Sequence, residues 1–477
     1  MAKRIKSGIL FVLLVAVFVG MFAAMGPGVY NDSDQYIKMH IHREPLYPLF
    51  LAALRAMFGE SWLTAMGIIQ NVLAAFSVWT FAEYISKRFS LRLWQEILVV
   101  LLALMPHMIT MCFSALHLFM TNSVMSEALC LPLFTLFVME CFKIWTEKDL
   151  KAVRRAVLCS LLLAFLLSLT RSQMMLAILI WMVVLGAKIL LQPGTENKPV
   201  DRSLKQKIIR LAVVVAAVIL VFGVRLLAVK SYNLVFNGHF INNTYGTVNT
   251  LTNILYAADR EDGENIEDEE AREFFCRMYD LTEERQANYK YAGDSIREKT
   301  EHIESWHDTV KFEMIEDVFY QTYDKTVTSD YIIQNLMADE TAGKIIKGIF
   351  PKCFGRWLGN YLLIMHYGLI RSVAVVHPVI NWVTVLIYLS AIWLTWMVWR
   401  RDKWNPAVVV MAIAMLGILA NVAAVSMTIM CLSRYMIYGF VPFYTGYFLL
   451  MIEYYKIYIL KQNNECFDRK KMNESEQ

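Results

Sequence analysis

The chain has 477 residues, 57% of them hydrophobic and 18% charged, with a formal net charge of +4. Ordinary soluble domains are roughly a quarter charged, and several apolar runs here reach the ~20 residues needed to cross a bilayer, so a soluble core is excluded and an all-α polytopic membrane protein is expected. The small positive balance points to basic loops on one side of a membrane, not to a nucleic-acid partner.

Lys3, Arg4 and Lys6 precede the first apolar stretch, 8–26, which is read as a retained signal anchor because it exceeds the ~7–15 residues of a cleaved signal's apolar region. Residues 27–61 form a first outer loop. It crowds Asp32, Asp34, Tyr36, His40, His42, Arg43 and Glu44 before a stiff Pro45 to Pro48 turn and an amphipathic stretch, Leu46 to Phe58, suited to the membrane interface. A loop that merely joins two helices needs no such order of carboxylates, aromatic and cations. The two histidines with Asp32 and Asp34 lack a second cluster to complete a coordination sphere, so no metal is assigned and dependence on a divalent cation is left open.

Further spans are expected at 62–85, 93–113, 120–142, 154–170, 173–191, 208–229, 373–399, 405–430 and 435–459, about ten in all with the first. As one helix, Val153 to Leu191 would be ~55 Å long, nearly twice the hydrocarbon thickness, so it folds back at Thr170-Arg171-Ser172-Gln173. Basic clusters test this count. Lys3 to Lys6, Lys87 to Arg92, Lys143 to Arg155, Lys198 to Arg210, Arg400 to Lys403 and Lys461 to Lys471 all fall on one side, which places both termini in the cytoplasm.

The organisation that follows is an N-terminal transmembrane region (1–229), an extracytoplasmic loop domain (230–372), C-terminal transmembrane helices (373–460) and a cytoplasmic tail (461–477). The loop domain opens with an Asn-rich, aromatic segment and turns acidic and helical in pattern from Glu264 to Tyr323. Phe274, Phe275, Met278 and Leu281 recur at helical spacing, as in a small helical layer over the membrane mouth. The acidic run from Asp259 to Glu273 reads as a solvated face. Of the 8 cysteines only Cys276 and Cys353 fall in this domain, and their spacing gives no support for a disulfide.

Four ionisable residues stand out beyond the first loop. Arg171, at the turn between two apolar helices, reads equally as a snorkelling hairpin cap and as an anion clamp. Arg434, followed by Tyr435, repeats that logic at the start of the last span. Glu127 lies inside the outer end of the fourth span, where a carboxylate needs a partner or a polar cavity; a structural pairing with Arg171, Arg225 or Arg434 weighs the same as substrate binding. Arg225 sits near the outer end of the seventh span.

The run Asp32-Ser33-Asp34-Gln35-Tyr36, followed by Arg43-Glu44-Pro45-Leu46-Tyr47-Pro48-Leu49-Phe50, resembles the first outer loop of the GT-C glycosyltransferases, especially bacterial protein O-mannosyltransferases and lipid A aminoarabinose transferases. Ser126-Glu127, Leu169 to Gln173, and Arg434-Tyr435 followed by Pro442 are similar to stretches of the same superfamily. The resemblance implies a membrane glycosyltransferase, in a bacterial cytoplasmic membrane, that moves a sugar from a polyprenyl-phosphate donor to a glycan, lipid or protein acceptor at the outer face. It implies Asp32 as catalytic base with Asp34 as helper, and Tyr36, Arg43, Glu127, Arg171, Arg225, Arg434 and Tyr435 as substrate-binding residues. A transporter or lipid flippase, and a polysaccharide polymerase or ligase, are the rival classes; the gathering of unusual charges at one face argues against the first.

Overall fold

The computed structural model describes residues 2–113, 119–191 and 204–460. Lys198, Arg202, Cys466 and the basic tail from Lys461 lie outside them. Among the described residues the chain is all-α, and nine helical stretches are long and apolar enough to cross a membrane.

Helix α1 (Ala2–Met25) opens with Lys3, Arg4 and Lys6, continues as an apolar stretch and stops at Gly26, which takes a left-handed φ of +71°. Helix α2 (Asn31–Ile37) is one short turn pair begun by Ser33, whose hydroxyl accepts from the Tyr30 N–H at 2.8 Å and donates to the Val124 carbonyl at 2.9 Å. The amphipathic α3 (Leu46–Phe58) buries Tyr47, Leu51 and Leu54 and leaves Leu49, Met57 and Phe58 exposed, the pattern of an interfacial helix. Gly59, at φ +53°, turns the chain into α4 (Trp62–Phe89), and α5 (Leu93–Phe113) returns.

Helices α6 (Glu127–Thr146), α7 (Leu150–Ser168), α8 (Leu176–Leu191) and α9 (Leu204–Asn237) follow as a packed series. Of these, α7 is not among the nine, because Lys151, Arg154 and Arg155 occupy its first turns. It is nevertheless the expected return limb, packed between α6 and α8, and counting it gives ten crossings. Helix α9 continues to Asn237, two turns beyond the expected end of its span.

Above the bundle, α10 (Gly246–Tyr256), α11 (Glu269–Glu284), α12 (Ile296–Thr309), a π-helical turn (Val310–Glu316) and α13 (Asp317–Thr326) pack around Phe274, Phe275, Met278, Met314 and Phe319. Asp259 and Asp262 of the acidic run are tied down by Arg356, while Asp268 pairs with Lys344 at the surface and Glu261, Glu264, Glu267, Glu269, Glu270 and Glu273 are exposed, as a solvated face requires. Cys276 and Cys353 are both free thiols.

Helix α14 (Tyr331–Arg371), 41 residues and ~62 Å long, leads from this domain back to the membrane helices. There Gly368 lets it approach closely, since a Cβ would stand 2.8 Å from Cys431 and Val422, and Arg371 bridges to Glu304 and to the Cys431 carbonyl. Helices α15 (Pro378–Arg401), α16 (Pro406–Ser426), the short α17 (Ser433–Met436) and α18 (Phe440–Tyr454) complete the bundle.

The two ends of the bundle differ in chemistry. At the lower end, Lys6 pairs with Glu96, Tyr84 bonds Thr146 and Glu147, and Trp145 stacks on Trp404 beside Arg400, Arg401 and Lys403. At the upper end, irregular backbone is braced from three sides. Gly28 pairs with Asn122 and Val124, Leu46 N–H donates to the Leu169 carbonyl at 2.8 Å, and buried Gln70 and Asn71 hold Thr121, Asn122 and Ser123. Non-helical backbone at membrane depth persists only where protein groups satisfy it, and this bracing fixes the segments that carry Asp32, Glu127 and Arg171.

Candidate functional site

Helix α2 advances ~100° per residue, so Asp32 and Asp34 leave it on opposite sides. Asp34 points outward, its carboxylate 61% exposed, and pairs only with Lys38 one turn on. Asp32 points inward between two guanidinium groups, with Arg43 Nη2 at 2.9 Å from Oδ1 and Arg434 Nη1 at 3.3 Å from Oδ2. Burial works to raise the Asp32 pKa, but Arg43 and Arg434 together outweigh it and hold the carboxyl below its ordinary value.

The same network takes in the other expected residues. Glu127, 1% exposed, receives Arg171 Nη1 at 2.5 Å and has Arg434 Nε at 4.0 Å. Ser126 Oγ joins Arg171 to the Tyr36 hydroxyl, at 3.2 and 2.9 Å, and Arg43 closes the circuit by lying over the Tyr36 ring, 4.6 Å from its centroid. Tyr435 serves both remaining cations, since the guanidinium carbons of Arg171 and Arg434 each lie 4.9 Å from its ring centroid. One aromatic face system thus relieves the repulsion of two arginines brought to one place. Arg225 stands apart: it is buried against Glu44 at 2.5 Å and bonds the Ser168 carbonyl. Burial pushes the Glu44 carboxyl up to about 7, against the pull of Arg225.

The domain above adds groups that could not be picked out from their place in the chain. Lys311 lies over the Tyr245 ring at 4.7 Å and forms no ion pair among the described residues. Burial brings its pKa down to about 8 although Asp308 and Asp32 pull it up, and Arg43 repels it. Asp308 pairs with His307 at 3.1 Å, which holds its carboxyl below the ordinary value, with Lys311 and Arg434 as lesser influences. His42 bonds Tyr331 and Thr244 and packs on His40; burial, with His40, Arg43 and Lys311, drives it down to about 3 and keeps it neutral. The histidines therefore seat the loop against the domain. Among the described residues no three His, Cys, Asp or Glu side chains converge as metal ligands would.

Three guanidinium groups (Arg43, Arg171, Arg434) thus face two carboxylates (Asp32, Glu127), leaving one positive charge in excess. Beside them is a polar cavity of about 190 Å³ lined by Arg43, Glu44, Arg171, Gln173, Asn249 and Thr428 among others. A larger cavity, about 490 Å³, opens toward the other end of α15 and α16 among Trp396, Trp399 and Met411 and offers almost no polar surface. The arrangement can bind an anion with several forked donors and present a carboxylate beside it. Compared with known proteins, the chain matches no family model, and no curated protein or solved structure is recognisably similar to it.

Proposed function

We propose that the protein is a membrane glycosyltransferase that takes a sugar from a polyprenyl-phosphate carrier and places it on an acceptor at the upper face, the side away from the basic loops. The observation that carries this reading is Asp32 clamped between Arg43 and Arg434, with Arg171 held beside them on Glu127. A departing lipid phosphate needs positive charge arranged before the reaction, and forked guanidinium donors suit phosphate oxygens. An acceptor hydroxyl needs a base within hydrogen-bond reach.

Asp32 answers both needs in sequence. Without substrate it is the counterion of Arg43 and Arg434, which makes it a weak base. When a phosphate takes up those guanidinium groups, the carboxylate loses the two partners that depress its pKa and gains basicity where the acceptor must sit. Asp34, paired outward with Lys38, has no such position.

The test is sugar transfer from polyprenyl-phosphate donors to endogenous acceptor in membranes, at matched expression. Asp32→Asn keeps the shape and removes the base, so transfer is expected to fall roughly 100-fold or more, while Asp34→Asn loses little. Undiminished transfer by Asp32→Asn defeats the assignment, and a dead Asp34→Asn beside an active Asp32→Asn reverses the two roles.

A further inference from the structure

The space between α15 and α16 near the lower end of the bundle is a groove of about 490 Å³, within the size range of ligand sites. Small side chains open it, with Ala391 and Thr395 on α15 and Val408 and Ala412 on α16. The Thr395 hydroxyl is taken up by the Ala391 carbonyl at 2.7 Å, so the walls offer hydrocarbon and indole rings. The two helices also fix its depth. At 1.5 Å per residue Ala391 lies about 15 Å above Arg401, and Met415 about 14 Å above Pro406. That is half of a ~30 Å hydrocarbon core, the depth of a single leaflet.

The rim narrows the occupant further. Arg400 lies over the ring of Trp396, 4.6 Å from its centroid, and Lys403 over that of Trp399 at 5.9 Å, and both rings wall the groove. Arg400 and Lys403 are exposed and pair with no carboxylate among the described residues. Asp402, between them in the chain, accepts from the Trp404 N–H and from Asn405. A count of basic residues is enough to orient a helix; it does not require two cations to stand on the walls of one groove. Arg401, by contrast, lies over Tyr458, which does not line it. We propose that the groove holds one acidic phospholipid of the leaflet on the basic-loop side, with an acyl chain between α15 and α16 and its phosphate between Arg400 and Lys403. A zwitterionic lipid would bring an ammonium to two cations. A second copy of the chain packing through this face would bring no carboxylate from either helix, since neither α15 nor α16 contains one. The site is separate from the Asp32 network and does not rest on the transferase reading.

Native mass spectrometry of the full chain, purified in detergent and given equal amounts of phosphatidylglycerol and phosphatidylcholine, tests this. One phosphatidylglycerol is expected to be retained about tenfold or more over phosphatidylcholine, since each cation near the surface favours an anion roughly fivefold. Arg400→Gln combined with Lys403→Gln should bring the two lipids to parity, and Ala412→Phe, which fills the groove at mid-depth, should remove the retained lipid. All three positions are exposed, so these variants leave the packed core alone. Arg401→Gln, one residue away but off the groove, should keep the full preference. Equal retention of both lipids by the parent overturns the proposal. So does an Arg401→Gln variant that loses as much preference as the double variant, the mark of a diffuse basic surface. A dimer that Ala412→Phe takes apart would assign the groove to a second copy and overturn it as well.

Discussion

Asp32 meets two guanidinium groups while Asp34, two positions later, meets a lysine in solvent, and the helical twist of α2 accounts for both. Two predictions belong to single residues. Replacing Arg434 or Arg171 by Lys keeps the charge and loses the fork, so transfer by either variant should fall about tenfold or more, ~1.4 kcal/mol of transition-state binding; full activity in the double variant would reduce both to structural caps. Lys311 sets the second. Its ammonium is charged below about pH 8 and neutral above, so affinity for a phosphate-bearing donor should decline as pH rises through that value. Lys311→Met should bind the donor more weakly at neutral pH and lose that limb of the profile, as measured by apparent donor KM against pH. Asp32, Glu127, Arg171 and Arg434 were legible in the sequence because a charge beside an apolar run is conspicuous. Lys311 was not, because one lysine in a polar helical domain looks like any other until the domain is packed over the first loop.

At the scale of helices, the sequence located the crossings and misjudged where they stop. The length of the apolar runs and the basic clusters placed the spans, including the fold-back at Thr170 to Gln173, because burial in lipid imposes length and hydropathy directly. The continuity of α14 was not readable: Pro351 lies at its middle, between buried Ile349 and Cys353, where a helix would be expected to break. The pairing of Glu44 with Arg225 could not be read either, since it joins the first loop to α9 across the bundle. That contact carries a prediction about stability. Arg225→Ala takes the partner from a buried Glu44, whose carboxyl then takes up a proton, so the loss should be about 1–3 kcal/mol, the cost of an unmade buried hydrogen bond, whereas Glu44→Gln combined with Arg225→Met should recover most of it. Unfolding of the purified variants in detergent checks this, and equal stability of Arg225→Ala and the parent would mean that water, not Arg225, satisfies Glu44.

For the whole molecule, an arrangement of ten crossings predicts that the helical domain and the basic loops lie on opposite sides of the membrane. Cysteine labelling from outside the cell should reach a residue introduced at the exposed Ser305 on α12 and miss one at Lys205, at the start of α9; the reverse pattern would put the Asp32 network on the cytoplasmic side. The ion pair between Asp32 and Arg434 has a further bearing, on how the chain is made. Its partners are separated by 402 residues, an interval of roughly 20–80 s at ordinary rates of synthesis. Throughout that time Asp32, and Glu127 once it has followed, lack the cation carried by α17, and the segments around them have no complete charge balance. A product truncated before α17 would keep that imbalance for good, leaving the Asp32 carboxylate without Arg434 at the upper end of the bundle. Arg434 on α17 thus completes, late in synthesis, a charge balance that α2 opens early.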